Sequence, residues 1–523
     1  MAEKKTVGSV TYTQTDNEYF AKRGLRRYAR VWSLWALGVG AVISGHYSGW
    51  NFGLQYGFGA MLIALFVIAA MYWGLIFSIA EMSPALPHTG AAYSFARSAL
   101  GPWGGMVTGL AESIEYILTP AVIVFFIGSY MTAIFETPAA AQPLWWAGAY
   151  AVFLLLNLRG VELSFKVSVL VTLGALAVLA LYWVSAIPHF DLDRWALNIG
   201  VGADGSKVEL PEGGGSWLPF GIGGALAALP FAVWLFLAIE QLPLAAEEST
   251  DPKQDMPRGL LYGMTTLMIS ALLISFLNSG VGSTDPDKMH GAFSLSSSAE
   301  PLLDGFRVIY GTGTAKVLAF LAVIGLIASF HTIIYAYGRN VFSLSRAGYY
   351  PHFLSLTHGK RNTPYVALIA GAVIGFGLAF LVDQALKNDW LGGNLYAALL
   401  SMAVAGAVVS YFLQMISFIL LRRNLPDIER PYRSPVGVWG AAIGAVIALA
   451  SLAACFWRDD YRPGVVGVAI FYLLALVYFG LRGRHQLVLS PEEEFALTRG
   501  QHGHPETEGY GTTSVADIPK DVD

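Results

Sequence analysis

The run Gly38-Val39-Gly40-Ala41-Val42-Ile43-Ser44-Gly45-His46-Tyr47-Ser48-Gly49 decides how this chain is to be read. It lies inside an apolar stretch from about 31 to 56, yet a third of its residues are glycine, and Ser44, His46 and Ser48 bring polar groups into it. Glycine costs about 1 kcal/mol relative to alanine in a helix interior. An apolar helix weakened in its middle is what a membrane protein uses where unwound backbone must face an ion or a small ligand. The plainer reading is that the glycines only let helices pack closely, as small-xxx-small patterns do.

The rest of the chain supplies the membrane. Of its 523 residues, 55% are hydrophobic and 13% charged, and the mean hydropathy is +0.53, too apolar for a soluble domain of this length. A hydrocarbon core of about 30 Å needs roughly 20 apolar residues per helix. Windows ended by Pro, Gly and charged clusters predict twelve spans, at 31–56, 58–82, 102–135, 143–158, 163–187, 219–246, 258–280, 313–343, 363–385, 392–421, 436–457 and 464–482. Single-span and peripheral readings are excluded.

Arg97, Arg159, Lys166, Lys253, Arg258, Arg339, Arg346, Lys360, Arg361, Arg422, Arg423, Arg430, Arg433, Arg482 and Arg484 fall at alternate span ends. The positive-inside rule then puts both termini in the cytoplasm of a cell, inner-type, membrane. The expected organisation is a cytoplasmic tail at 1–30, a transmembrane unit at 31–484, and a polar, flexible cytoplasmic tail at 485–523. The basic N-terminal segment has no apolar core with a small-residue cleavage site after it, so span 1 is expected to direct insertion itself. The segments 188–218 and 281–312 read as external loops. A net charge of −4 and one cysteine, Cys455, point to no nucleic-acid partner and exclude an intrachain disulfide.

Span 6 answers span 1. It holds Pro230, Glu240 and Pro243 in an otherwise apolar stretch. Interrupted helices in corresponding positions of two halves mark a midplane site, and the pair implies two inverted five-helix repeats, spans 1–5 and 6–10.

With these motifs the chain resembles the amino acid, polyamine and organocation (APC) superfamily, and within it the ethanolamine permease group. The likeness runs from Val31 to Arg484. It is carried by the span 1 run, by Ala80-Glu81-Met82-Ser83-Pro84-Ala85-Leu86-Pro87-His88-Thr89-Gly90-Ala91-Ala92-Tyr93, and by Asn157-Leu158-Arg159-Gly160-Val161. Two further segments join them, Ala246-Glu247-Glu248 to Pro257-Arg258, and Gly338-Arg339-Asn340 to Arg346-Ala347-Gly348.

The resemblance implies an all-α secondary transporter with spans 1 and 6 broken at the midplane, and a substrate site formed there by Ile43, Ser44, Gly45, His46, Trp234, Phe236, Leu237 and Glu240. His46 departs from the usual glycine. Backbone N–H groups at a half-helix start suit a carboxylate, and a bulky side chain narrows the approach, so the expected substrate is a small cationic amine such as ethanolamine. Trp234 and Phe236 would cover it by cation–π contact.

Carboxylates inside a membrane cost at least roughly 2.5 kcal/mol each at the midplane and are partnered or functional. Glu112 and Glu115, three apart on span 3, share a helix face and read as substrate ligands, or as interhelical glue paired with His46, His331 or backbone groups. Glu240 is expected in contact or coupling. Glu81, the Glu247-Glu248 pair and His331 read as gating groups. Ser329 and Thr332 read as a possible ion site, because hydroxyl oxygens suit a hard cation, and the superfamily places sodium there in some members. Proton or sodium coupling both remain expected, with no cofactor, no metal centre, and a monomer in lipid as the transport unit.

The rival within the same superfamily is a proton-coupled amino acid transporter. A membrane enzyme or sensor is disfavoured, because the spans contain no HExxH, paired Cys/His set, nucleotide loop or Gly-x-Ser-x-Gly.

Overall fold

The computed structural model describes residues 4–15, 17–388, 395–457 and 461–503. Among them, eleven helices are long and apolar enough to cross a membrane: Phe58–Ala85, Ala91–Phe135, Ala139–Leu158, Val161–His189, Gly221–Glu248, Pro252–Ser279, Pro301–Arg346, Tyr365–Ala385, Leu399–Asn424, Gly437–Phe456 and Arg462–His485. They correspond in order to predicted spans 2 to 12 and keep those numbers below.

Predicted span 1 is not among the eleven, because it is broken. It comprises a helix at Val31–Val42, a short helix at Ser44–Tyr47 and a 3₁₀ turn at Trp50–Tyr56. Ser48 is extended and Gly49 takes φ +99°, a backbone that a side chain resists. Separate helices at 91–100 and 301–310 abut spans 3 and 8 at Gly101 and Gly311, whose φ of +77° and +76° breaks the helix there. The expected start of span 10 at 392 lies outside the described residues.

Span 6 is helical over Gly221–Trp234 and resumes as a 3₁₀ helix at Ile239–Glu248. Between them Ala238 sits at φ +81°, a conformation that costs a non-glycine residue of order 1 kcal/mol or more and survives where its surroundings enforce it. Both breaks are fully buried, with Ser44, Gly45, His46, Leu235, Phe236, Leu237 and Ala238 inside the bundle. The spans expose instead large apolar residues such as Leu170, Val184, Ile222, Val373 and Trp439.

The chain ends overturn the reading of 485–503 as a loose tail. Val10–Thr13 pairs antiparallel with Lys4–Val7 and parallel with Leu487–Val488, so the two ends form one small sheet. A helix follows at Pro491–Leu497, and its Glu492, Glu493 and Glu494 are buried. Residues 504–523 lie outside the described residues. The 281–312 segment is also structured: Leu295 and Ser298 offer their carbonyls to the Asn51 amide at 2.7 and 2.9 Å, closing the structure over the far end of span 1.

Candidate substrate site and the terminal face

The two breaks are laced to each other. His46 Nε2 lies 2.9 Å from the Leu235 carbonyl and Nδ1 lies 2.6 Å from Ser270 Oγ on span 7. A carbonyl only accepts, so Nε2 carries a proton, and a neutral ring then accepts from Ser270. In return, Trp234 Nε1 donates to the Ser48 carbonyl at 3.0 Å. Gly45 is required at this crossing, because a Cβ there would meet the Trp234 carbonyl oxygen at 2.4 Å.

Next to the span 6 break lies a group of three carboxyls and three phenols. Tyr411 donates to Glu115 Oε1 at 2.9 Å. Tyr116 Oη lies 3.2 Å from Glu112 Oε1 and 3.1 Å from Glu240 Oε1, and its one proton serves only one of them at a time. Tyr72 Oη lies near Tyr411 Oη and the Val233 carbonyl. The Oε2 atoms of Glu112, Glu115 and Glu240 are buried without a hydrogen-bond partner, and among the described residues no cation pairs with any of the three. Phe236 packs on Tyr72, and Tyr72 on Tyr411, each at 5.3 Å between ring centres.

The expected site residues thus divide. Phe236, Glu112, Glu115 and Glu240 come together. Ser44, Gly45, His46 and Trp234 meet at the adjoining crossing of the breaks, where Trp234 lies on Gly45 and Gly49. Ile43 and Leu237 are buried backbone positions of the two breaks. Pairing of Glu112 or Glu115 with His46 or His331 is not what the structure shows. His331 is engaged instead by Asn157 and Ser164, with Nδ1 3.1 Å from Asn157 Nδ2 and Nε2 3.2 Å from Ser164 Oγ. Ser329 and Thr332 lie against span 1 and within span 8: Ser329 Oγ contacts Gly40 and Ser44, and Thr332 Oγ1 donates to Ala328 and Ser329 carbonyls.

Glu81, Glu247 and Glu248, expected to gate, sit on arginines. Glu81 on span 2 accepts from Arg422 at 2.6 and 2.8 Å, faces Arg430 at 3.3 Å, and takes the Ser434 N–H at 2.7 Å. Glu248 pairs with Arg339 at 3.0 Å and accepts from Tyr335. Glu247 pairs with Arg346 at 2.6 Å, and the same guanidinium reaches Glu492 at 2.6 Å. Glu493 gathers Arg97 at 2.6 Å and the phenols of Tyr12, Tyr93 and Tyr349. Burial alone would raise the Glu492 carboxyl, but Arg346, His88 and Ser343 outweigh it and hold it down at about 2.

The sequence reading missed Tyr72, Tyr116, Tyr411, Ser270 and the Glu492-Glu493 pair. The tyrosines left a signal, since each places a hydroxyl in an apolar span. The acidic pair left none, because Pro-Glu-Glu-Glu in a polar tail reads as a solvated helix start.

The comparisons with known proteins agree with this architecture. The family model described as amino acid permease matches residues 40–489. An uncharacterized transporter of Rhizobium meliloti is 26% identical, over 86% of this chain and 90% of its own length. The methylthioribose transporter of Bacillus subtilis is 23% identical, over 89% and 95%, and the branched-chain amino acid permease BcaP of the same organism is 25% identical, over 79% and 85%. With its interrupted spans and its match across most of its length, this chain belongs to the amino acid permease family of the APC superfamily and is a multi-pass membrane transporter rather than an enzyme.

Proposed function

We propose that this permease imports a small cationic amine, with ethanolamine as the type, across a cell membrane by alternating access, both termini being cytoplasmic. The observation that carries the reading is the shortage of donors at the central carboxyls. Three buried acids have two phenolic protons from Tyr116 and Tyr411 between them, and three oxygens have no partner. A buried polar group without a partner costs about 1–3 kcal/mol, more if charged. An ammonium brings three N–H donors and a compensating charge to that place, and the Phe236, Tyr72 and Tyr411 rings supply π faces for it.

The crossing of the breaks supports an amine over an amino acid. A carboxylate needs free N–H donors, and the Ser44 N–H is already taken by Ser329 at 2.8 Å. An amino alcohol needs no carboxylate nest there. Uptake of labelled ethanolamine into proteoliposomes, competed by excess ethanolamine, choline, alanine, glutamate or arginine, tests this. Competition by ethanolamine but only weakly by alanine is expected, and the reverse order overturns it.

A second reading, a proton-coupled amino acid permease, is favoured by the gathering of Glu115 and Glu240 around the Tyr116 and Tyr411 phenols with no arginine or lysine beside them among the described residues. Buried acids without a cation are suited to holding a proton. Relatives include a branched-chain amino acid permease. Uptake of a neutral amino acid driven by an imposed pH gradient would establish it.

A further inference from the structure

Span 1 is interrupted first at Ile43, whose own angles stay helical, and leaves the helix at Ser48 and Gly49; the first interruption has a visible cause on span 8. In an unbroken helix the Ser44 N–H would donate to the Gly40 carbonyl four residues earlier. Here Ser44 N–H donates to Ser329 Oγ at 2.8 Å, and the same hydroxyl donates to the Gly40 carbonyl at 2.7 Å. Ile43 N–H stays on the Val39 carbonyl at 3.0 Å and Ser48 N–H on the Ser44 carbonyl at 3.0 Å, while His46 N–H bonds the Ile43 carbonyl, three residues back, at 3.0 Å. One side chain therefore stands in one rung of the ladder, which is a known origin of helix kinks.

The surroundings are built for this insertion. Ser329 is fully buried. Gly40 lets spans 5 and 8 close in, since a Cβ would meet Thr172 Oγ1 at 2.5 Å and the Thr332 methyl at 3.2 Å. One turn before, Thr172 donates to the Ala36 carbonyl at 3.0 Å. Beyond the inserted rung, His46 and Gly45 join span 1 to the span 6 break.

We propose that Ser329 is a positioning residue that sets the interruption of span 1 at Ile43, holding Gly40 C=O and Ser44 N–H apart so that the Ser44–Tyr47 piece docks on the span 6 break. When span 8 withdraws, the two freed groups lie on adjacent turns of one helix and bond to each other, joining the pieces. Span 8 position and span 1 continuity are then one two-state element. The hydroxyl needs no ion for this, because it satisfies both backbone groups directly.

Hydrogen exchange of full-length protein in lipid nanodiscs, read on peptides covering 40–48, tests the proposal without knowing the substrate. Ser329→Ala should slow exchange there by about threefold to tenfold, as the helical bond replaces the inserted hydroxyl. Ser329→Thr, which keeps the hydroxyl, should match the parent protein. Adding Ser44→Pro to Ser329→Ala removes the N–H and forbids the joined helix, so fast exchange should return. Equal or faster exchange in Ser329→Ala overturns the proposal. So does parent exchange that differs between sodium and potassium media, which would make Ser329 a cation ligand. Ethanolamine uptake by the same variants should fall at least about tenfold in Ser329→Ala and recover partly in the double variant. If the parent takes up no ethanolamine, the substrate reading fails while the exchange result still decides the role of Ser329.

Discussion

Two sets of buried carboxylates share this molecule and differ in what satisfies them. At the terminal face, Glu81, Glu248, Glu247, Glu492 and Glu493 each meet a guanidinium. In the centre, Glu112, Glu115 and Glu240 meet phenols and one another, with an oxygen of each unpartnered. All eight are at most 6% exposed, so burial does not tell them apart. A carboxylate on a fixed arginine has spent its charge on holding elements together, whereas one facing only tyrosines keeps its capacity for a mobile cation or proton. On the proposed function the first set is a clamp and the second a receptor, and each can be broken by the substitution that leaves the other intact.

The largest effect is expected from Arg346→Met. One guanidinium serves Glu247 and Glu492, so its loss takes an arginine from two buried carboxylates at once, and removing one member of a buried pair costs about 3–5 kcal/mol. Unfolding followed in a detergent titration should show a loss of that size. A loss under about 1 kcal/mol would mean that the terminal clamp is already open in solution.

Next come Glu115→Gln and Glu240→Gln. An amide keeps the shape and one acceptor and adds N–H donors to a place short of them, so stability should be unchanged or higher. Binding of a cationic substrate should fall by about tenfold or more. If either variant loses stability as severely as Arg346→Met, the centre is a clamp too, and the distinction fails.

The two sets also separate by pH. Glu492 is held at about 2, below the ordinary carboxylate value of 4.5. The stability it contributes is therefore fully present above pH 4.5 and lost as the pH falls through about 2. A pH dependence of uptake between 5 and 8 must then arise elsewhere, and Glu492→Gln should keep its midpoint. A shifted midpoint in that variant would assign the dependence to the terminal face.

This contrast explains what was legible beforehand. The span pattern follows from local composition, and so does the departure of span 1 from the helix at Gly49, but Pro230 sits inside the helix Gly221–Trp234 and the span 6 break at 235–238 holds neither Gly nor Pro. Charge partnership is not local. Glu492 finds Arg346 across 146 positions of sequence and Glu493 finds Arg97 across 396, so nothing near either acid announces burial. The expectation for Ser329 shows the same limit: a hydroxyl in the middle of span 8 suggests an ion ligand, and only the fold reveals the span 1 rung it occupies.

The smallest effect is expected at Glu81, and it sharpens the meaning of a clamp. Glu81 is itself almost fully buried, but it accepts from Arg422, faces Arg430 and takes the Ser434 N–H. The Arg422 side chain is 29% exposed, so part of its attraction is screened by solvent. Arg422→Gln leaves the carboxylate with one guanidinium and one amide, and the variant amide can still donate. The loss should stay under about 1 kcal/mol, far below that of Arg346→Met, where one buried guanidinium serves two buried carboxylates. Glu81→Gln reverses the situation, leaving two arginines to repel each other around a neutral amide, and should cost more than Arg422→Gln in the same titration. If the order is inverted, the count of guanidiniums around a buried acid is not what sets its worth, and the geometry of the individual pair is.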